Sequence, residues 1–268
     1  MRVKEEKYGQ ATLKWQAAKD GGFGGAVILG GKRVALFDDS DEQRLLVRLR
    51  NEAGRLHPDY VGFDGAIQRF LRFFPEGFQG EMSQGREREY KHRAAERLQR
   101  ILPAGRADNA SNDDAVRVAG SGIQTNMLSP FEAARLRDTL LGETGGRYLR
   151  GAADFARGNY APGAQAMAAS VAPHGRISWP LLTYLPFLWD FHSHMFLKPT
   201  VTADFADRVS HDFRHRYSPE PNADTYIALL DLVETTRTAI STLEPRDNID
   251  IQSFIWVVGE YRDGDVPG

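Results

Sequence analysis

The stretch REREYKHRAAERLQR, residues 86–100, suggests a chemical role because it holds six basic and three acidic side chains. In a helix with 100° per residue, Arg86, Arg93, Arg97 and Arg100 fall within about 60° of one another, and Tyr90 lies in the same stripe. Exposed guanidinium groups bind phosphates, and an aromatic ring beside them can stack on a base. With two arginines from the preceding segment, the predicted nucleic-acid contacts are Arg69, Arg72, Arg86, Tyr90, Arg93, Arg97 and Arg100.

The same stretch also has the charge pattern of an ordinary solvated helix. Glu89–Arg93 and Glu96–Arg100 are i,i+4 pairs in the favourable order, with the acidic residue first. Such pairs stabilise an exposed helix face without any ligand. The solvated helix therefore stays open as an alternative to the nucleic-acid surface.

A nuclease interpretation of this stretch is also possible but is disfavoured. Pro58-Asp59 with Glu89-Tyr90-Lys91 imitates the PD…ExK spelling of many metal-dependent nucleases. In such sites the Glu and the Lys alternate on a strand, so that both side chains point at one metal-bound water. On a helix, residues i and i+2 diverge by about 200°, and the residues around Glu89 favour a helix.

Four of the seven histidines lie within 24 residues of one another and form the second candidate site. One pair has i,i+2 spacing, which places both rings on the same face of a strand, and the other has i,i+4 spacing, which does the same on a helix. Neutral imidazoles brought together can bind Zn²⁺, with a nearby carboxylate as a further ligand or support. The predicted metal ligands are His192, His194, His211 and His215, and the supporting carboxylates are Asp190, Asp207 and Asp212.

The segment EPRDNIDIQSFIW, residues 244–256, is a third place where a cation could bind. Asp247 and Asp250 are possible ligands, with Gln252 and Ser253 nearby. A helix N-terminus explains these residues better, because Asp247 can cap the first turn and Asp250 complements the positive end of the helix dipole. In that interpretation Trp256 packs inward.

The net charge of −2 conceals an uneven distribution along the chain. Residues 44–106 contain thirteen Lys and Arg against eight Asp and Glu, whereas residues 218–268 contain three against ten. This asymmetry suggests that the basic region meets a polyanion, DNA or RNA, and that the acidic C-terminal region meets protein partners or solvent.

Composition excludes several classes of protein and site. The chain has no cysteine, which rules out disulfides, thiolate zinc sites and cysteine nucleophiles. No apolar run reaches the roughly 18 residues that a membrane span needs, and the charged N-terminus lacks the apolar core of a signal peptide. We therefore expect a cytoplasmic, bacterial protein with no membrane partner.

The first forty residues predict a small antiparallel sheet. ATLKWQAA (11–18) alternates loosely, and AVILGGKRVALF (26–37) has two apolar runs around a Gly-Gly pair that is typical of a hairpin turn. A three-stranded meander is expected, covered by helices because it would bury too little apolar surface alone. Ser40 with Gln43 predicts the start of a helix to about His57, and Asp64 can cap the next.

The rest of the chain predicts a mainly helical lobe. Residues 106–128 have no hydrophobic period and are expected to be a loop or linker between an N-terminal lobe, 1–105, and a helical lobe, 129–268. Ser129-Pro130-Phe131-Glu132 predicts a capped helix N-terminus. HMFLKP (194–199) is expected to be a short buried strand whose Lys198 is a possible functional cation. The fold class is α+β.

These features lead to one functional hypothesis and two alternatives. The first is a nucleic-acid-binding protein, or a subunit of a bacterial DNA- or RNA-processing system, that contacts phosphates through the arginine-lined helix. The second is a metal-dependent hydrolase or nuclease built on the four histidines. The third is a non-catalytic interaction subunit. The sequence leaves open whether the protein is an enzyme.

Overall fold

The computed structural model describes residues 3–18, 21–123 and 125–265, which form an α+β fold. Within these ranges the strands are β1 (Lys4–Tyr8), β2 (Ala11–Ala17), β3 (Phe23–Leu29) and β4 (Lys32–Asp39). The helices are α1 (Glu42–Arg55), α2 (Gly62–Phe73), α3 (Glu81–Ser83), α4 (Glu89–Ile101), α5 (Ala104–Ala107), α6 (Asn112–Gly120), α7 (Pro130–Leu141), α8 (Gly145–Ala156), α9 (Tyr160–Val171), α10 (Trp179–Trp189), α11 (Pro199–Arg208), α12 (Phe213–Arg216), α13 (Ala223–Ala239) and α14 (Asn248–Glu260). A π-helical turn spans Gln84–Arg88, and 3-10 turns span Gly77–Gln79, Ala172–His174, Ser241–Leu243 and Asp263–Asp265.

The chain divides into two compact units, which do not follow the predicted lobes. The sheet unit comprises residues 1–69 and 203–216, and the helical unit comprises residues 70–202 and 217–268. The predicted linker, 106–128, instead contains the end of α5 and the nine-residue helix α6. Ser111 and Asp114 form a capping box at the start of α6, so these two polar residues cap a helix instead of turning a loop.

The sheet has four antiparallel strands in the order β1-β2-β3-β4, so the expected three-stranded meander was one strand short. The missed strand, β1, has the sequence KEEKY, in which only Tyr8 is buried. It pairs only with β2 and is therefore an edge strand, where charged side chains discourage pairing with other chains. The predicted Gly-Gly turn joins β3 to β4, with φ of 56° at Gly30 and 77° at Gly31.

Helix α1 covers one face of the sheet and completes the core of this unit. Leu45 and Leu49 of α1 pack with Leu13 and Val27 of the strands, and all four are fully buried. Burial of such side chains is the main stabilising contribution to a sheet of this size. The helix is capped by Asp41, which accepts a hydrogen bond from the Arg44 backbone, rather than by the predicted Ser40.

Two helices of the helical unit begin where local capping signals predicted. Ser129 and Glu132 form the expected capping box at α7, and Asp247 caps α14. The expected strand at 194–199 was wrong, because residues 194–198 are buried but pair with no strand in the described part of the chain.

Charged side chains join the π-helical turn and α4 to α14, and the acidic ones among them and Lys91 are buried. The Arg88 guanidinium donates to Asp247 at 2.6 and 2.9 Å and to Asp250 at 3.0 Å. Arg246 donates to Asp250 at 2.8 Å from the other side. Burial alone raises the pKa of Asp247, but Arg88 holds that pKa below its ordinary value. The two aspartates are therefore arginine partners, which leaves the cation interpretation without support.

A second set of these contacts surrounds Lys91, which is completely buried. Its ammonium group lies 3.1 Å from a Glu87 oxygen and 2.9 Å from the Ser253 hydroxyl. Tyr261 donates a 2.7 Å hydrogen bond to the other Glu87 oxygen. We call the residues Glu87, Arg88, Lys91, Arg246, Asp247, Asp250, Ser253 and Tyr261 the α4–α14 network.

Two adjacent glycines of β3 provide a test of packing in the sheet unit. A Cβ at Gly25 would lie 2.6 Å from the Leu49 side chain, whereas a Cβ at Gly24 would meet nothing within 4 Å. We expect Gly25→Ala to lower the free energy of unfolding by about 1–3 kcal/mol because it overpacks the core. Gly24→Ala is the matched control and should change it by less than about 1 kcal/mol. Urea unfolding of both variants gives the comparison, and equal effects would contradict the described packing.

Candidate functional site

The exposed face of α4 carries as many acidic as basic side chains. Glu89, Arg93, Glu96 and Arg100 are its exposed residues, while Lys91, Ala94, Ala95 and Leu98 are buried on other faces. Arg93 lies 2.6 Å from the Glu89 carboxylate. This face therefore matches the solvated-helix alternative, and it does not present an unbroken row of cations.

Two further arginines of the predicted stripe are engaged by backbone carbonyls. The half-buried Arg97 donates to Ser121 O at 3.3 Å and to Gly122 O at 2.9 Å, and so satisfies carbonyls just after α6. Arg86 is exposed and donates a long 3.4 Å hydrogen bond to Asp265 O. Because Arg86 belongs to the π-helical turn, the 100° spacing that placed it in line with Arg93 does not apply there.

The other predicted contacts also differ from a free surface. Tyr90 is half-buried, and burial raises the pKa of its hydroxyl. Arg69 is half-buried and Arg72 is exposed on α2, and both side chains interact with other described residues. Arg100 is the exception, because it is exposed and its side chain has no hydrogen bond or ion pair with any residue that the structure describes.

Arg100 lies at a groove beside α4, which we call the α4 groove. This cavity of about 560 Å³ is lined by α4 and by residues 188–192 at the end of α10. Besides the buried Trp189, three ring-bearing residues line it: the His92 and Phe191 rings are 5.8 Å apart, and the Phe191 and His192 rings are 4.9 Å apart. Phe191 is half-buried and His192 exposed, so these rings are accessible from solvent.

The carboxylates of the α4 groove already have partners. Asp190 accepts hydrogen bonds from the backbone N–H groups of His192 at 3.0 Å and Ser193 at 3.3 Å. Burial raises the pKa of Asp190, but these hydrogen bonds lower it further than burial raises it. Glu96 lies 3.5 Å from the His92 ring nitrogen Nδ1. Arg100 is therefore the charged side chain of the groove lining that has no described partner.

The predicted zinc ligands do not form one described site. His192 and His194 belong to the helical unit, and His211 and His215 belong to the sheet unit. His194 is buried, and both of its ring nitrogens are engaged, Nδ1 by the Tyr226 hydroxyl at 3.1 Å and Nε2 by Ala156 O at 2.8 Å. Zinc binding at His194 would break one of these hydrogen bonds, so the four-histidine site remains only a prediction.

In the sheet unit, a cavity of about 90 Å³ is lined by three histidines, His57, His211 and His215. His57 Nδ1 accepts a hydrogen bond from the Asp59 N–H, and His211 Nδ1 accepts one from the Phe213 N–H, each at 3.2 Å. The neutral rings of both residues therefore carry their hydrogen at Nε2, which cannot then ligate a metal. Sequence spacing could not identify His57, because it lies about 150 residues from the other two.

The nuclease interpretation of Glu89 and Lys91 was wrong for the reason that the helical geometry predicted. Glu89 is exposed and pairs with Arg93, while Lys91 is buried in the α4–α14 network. The two side chains lie on different faces of α4 and cannot serve one metal-bound water.

Comparison with known proteins gives no match to a family model, a curated protein or a solved structure. Among the described helices, none has both the length and the apolar character of a membrane span.

The buried His194 predicts a loss of stability in mild acid. Burial lowers its pKa below the ordinary value. As the pH falls, the unfolded chain therefore takes up a proton at about pH 6.5, whereas the folded chain takes it up only at a lower pH. This contribution is complete above about pH 6.5 and is lost as the pH falls toward the folded pKa. His194→Gln should therefore flatten the dependence of unfolding free energy on pH between about 7 and 5. His192→Gln, at an exposed position, is the control, and equal slopes for wild type and His194→Gln would contradict the prediction.

Proposed function

We propose that the protein binds single-stranded nucleic acid in the α4 groove, as a binding protein or subunit of a bacterial DNA- or RNA-processing system. The observation that carries this proposal is the position of a guanidinium without a described partner, that of Arg100, beside three accessible rings. Proteins that bind single strands combine cationic groups for the phosphates with aromatic rings on which bases stack.

The electrostatics of the groove support a phosphate contact at Arg100. Asp190 accepts two backbone hydrogen bonds, which partly compensate its charge before any ligand arrives. A phosphate beside Arg100 would accept charge-assisted hydrogen bonds from the guanidinium group. Arginine can donate two parallel hydrogen bonds to a phosphate, whereas lysine acts as a point charge.

A single strand fits these residues better than a duplex. A duplex-binding helix needs several cations along its exposed face, and that face of α4 carries Glu89 and Glu96. A base from a single strand can instead stack on Phe191 or His192, since every base offers a π face. Phe191 and His192 take the stacking role that the sequence assigned to Tyr90, because Tyr90 does not line the groove.

The proposal concerns binding and not catalysis at this groove, because its carboxylates are already engaged by protein donors. Contacts from Arg86, Arg69 and Arg72 stay predictions. So do a cytoplasmic location, a protein partner for the acidic C-terminal region and the metal-dependent hydrolase.

Fluorescence anisotropy with labelled DNA and RNA single strands of about 12 nucleotides tests the proposal. Arg100→Gln should weaken binding and make the log–log salt slope shallower by about 0.7 for the lost phosphate contact. Phe191→Leu keeps an apolar side chain but removes the ring, and should weaken binding about fivefold or more.

Arg93→Gln is the matched control on the same helix. Arg93 is already paired with Glu89, so this variant should bind within about twofold of wild type. The proposal fails if wild type does not bind at low salt. It also fails if Arg93→Gln weakens binding as much as Arg100→Gln, because the whole α4 face and not the groove would then carry the contact.

A further inference from the structure

Helix α14 is buried along its whole length except at one place. Within its residues Asn248–Glu260, all of which the structure describes, only Trp256 and Glu260 are not buried. The two are i,i+4 neighbours and so lie on the same face of the helix. Both line a cavity of about 970 Å³ in the helical unit, which we call the Trp256 cleft. This volume lies at the upper end of the usual range for small-molecule sites.

The indole of Trp256 differs from the other tryptophans in its hydrogen bonding. Trp15 donates to Glu42, Trp179 to Ser218 O and Trp189 to Leu102 O. The Trp256 N–H has no acceptor among the residues that the structure describes. The ring is half-buried at the cavity, so a ligand can contact it without displacing a hydrogen bond to another described residue. The expectation that Trp256 packs inward was wrong.

The cations of the cleft are already neutralised by the protein. Lys198 donates to Met127 O at 3.2 Å and lies 4.0 Å from a Glu132 carboxylate oxygen. At the rim, Arg176 lies 2.9 Å from Glu220 in an exposed ion pair. An anionic ligand would therefore compete with carboxylates for both cations.

Of the three carboxylates that line the Trp256 cleft, one has no described partner. Glu132 is engaged as the capping residue of α7 and by the Ser178 hydroxyl, and Glu220 is engaged by Arg176. Glu260 has no hydrogen bond or ion pair from its side chain to any described residue. The lining of the Trp256 cleft is therefore anionic by one charge, and that charge lies one helical turn from an accessible indole.

We propose that the Trp256 cleft binds an organic cation, an alkylammonium or guanidinium group, against the Trp256 ring and the Glu260 carboxylate. Tryptophan is the best cation–π partner among the side chains, and a neighbouring carboxylate supplies the opposite charge. The remainder of the ligand packs on the apolar wall formed by Ile177, Pro180 and Val201. This site is separate from the α4 groove in its residues and in its charge.

Isothermal titration of the full chain with choline and agmatine tests the proposal, since the first carries a quaternary ammonium and the second a guanidinium. The uncharged isostere of choline, 3,3-dimethyl-1-butanol, should bind at least about fivefold more weakly. A capped lysine dipeptide distinguishes the sources of the cation, because its binding would point to a peptide side chain and not to a free amine.

Three variants locate the site. Glu260→Gln keeps the shape of the side chain, and we expect it to weaken cation binding about fivefold or more. Trp256→Phe should weaken binding less than Trp256→Leu, since a phenyl ring retains part of the cation–π attraction. Glu234→Gln removes an exposed carboxylate that does not line the cleft and should leave binding unchanged.

The proposal is overturned if none of the three cations binds at about 10 mM. It is equally overturned if the neutral isostere binds as well as choline, or if Glu260→Gln binds like wild type. Cation binding that is lost in Glu260→Gln and kept in Glu234→Gln supports it.

Discussion

The contacts of the α4–α14 network join two helices of the helical unit through buried charged groups. Arg88 donates to Asp247 and Asp250 together, and the buried Lys91 reaches both Glu87 and Ser253. A buried charge costs several kcal/mol unless its partners are in place, so the described geometry is the one in which these groups satisfy each other. The faces that α4 and α14 present follow from this constraint.

Both proposed sites depend on these orientations. When Lys91 and Ala95 of α4 are buried, Arg100 is exposed at the α4 groove. When the Asp250 and Ser253 side of α14 meets the network, Trp256 and Glu260 reach the cleft. Each carboxylate of the network has a cationic partner, so neither Asp247 nor Asp250 needs a metal ion.

Local signals in the sequence predicted local structure well. The capping residues Ser129 and Asp247 mark helix starts because a cap needs only residues within one turn. The strand β1 was missed because an edge strand with alternating charges has no apolar pattern. The loop predicted at 106–128 was wrong because Ser and Asp are common both in loops and in helix caps. Ser111 and Asp114 cap a helix here.

The candidate sites could be predicted only in part, because their partners are distant in sequence. Arg97 pairs with carbonyls about 25 residues away and Arg88 with aspartates about 160 residues away, and no spacing rule contains that information. The π-helical turn also broke the period that aligned Arg86 with Arg93. Lys198, which the sequence suggested as a functional cation, lines the Trp256 cleft, but Glu132 already lies beside its charge.

Hydrogen exchange of Arg88→Met, measured against wild type, tests most directly whether the network orients both helices. Removing Arg88 leaves the buried Asp247 carboxylate without its ion-pair partner and leaves Asp250 with Arg246 alone, at a cost of about 3–5 kcal/mol. If the network holds α4 and α14, amides of both helices lose protection together, while those of the α8–α9 pair keep theirs. If either helix keeps its wild-type protection, the network does not fix the faces on which both proposed sites lie.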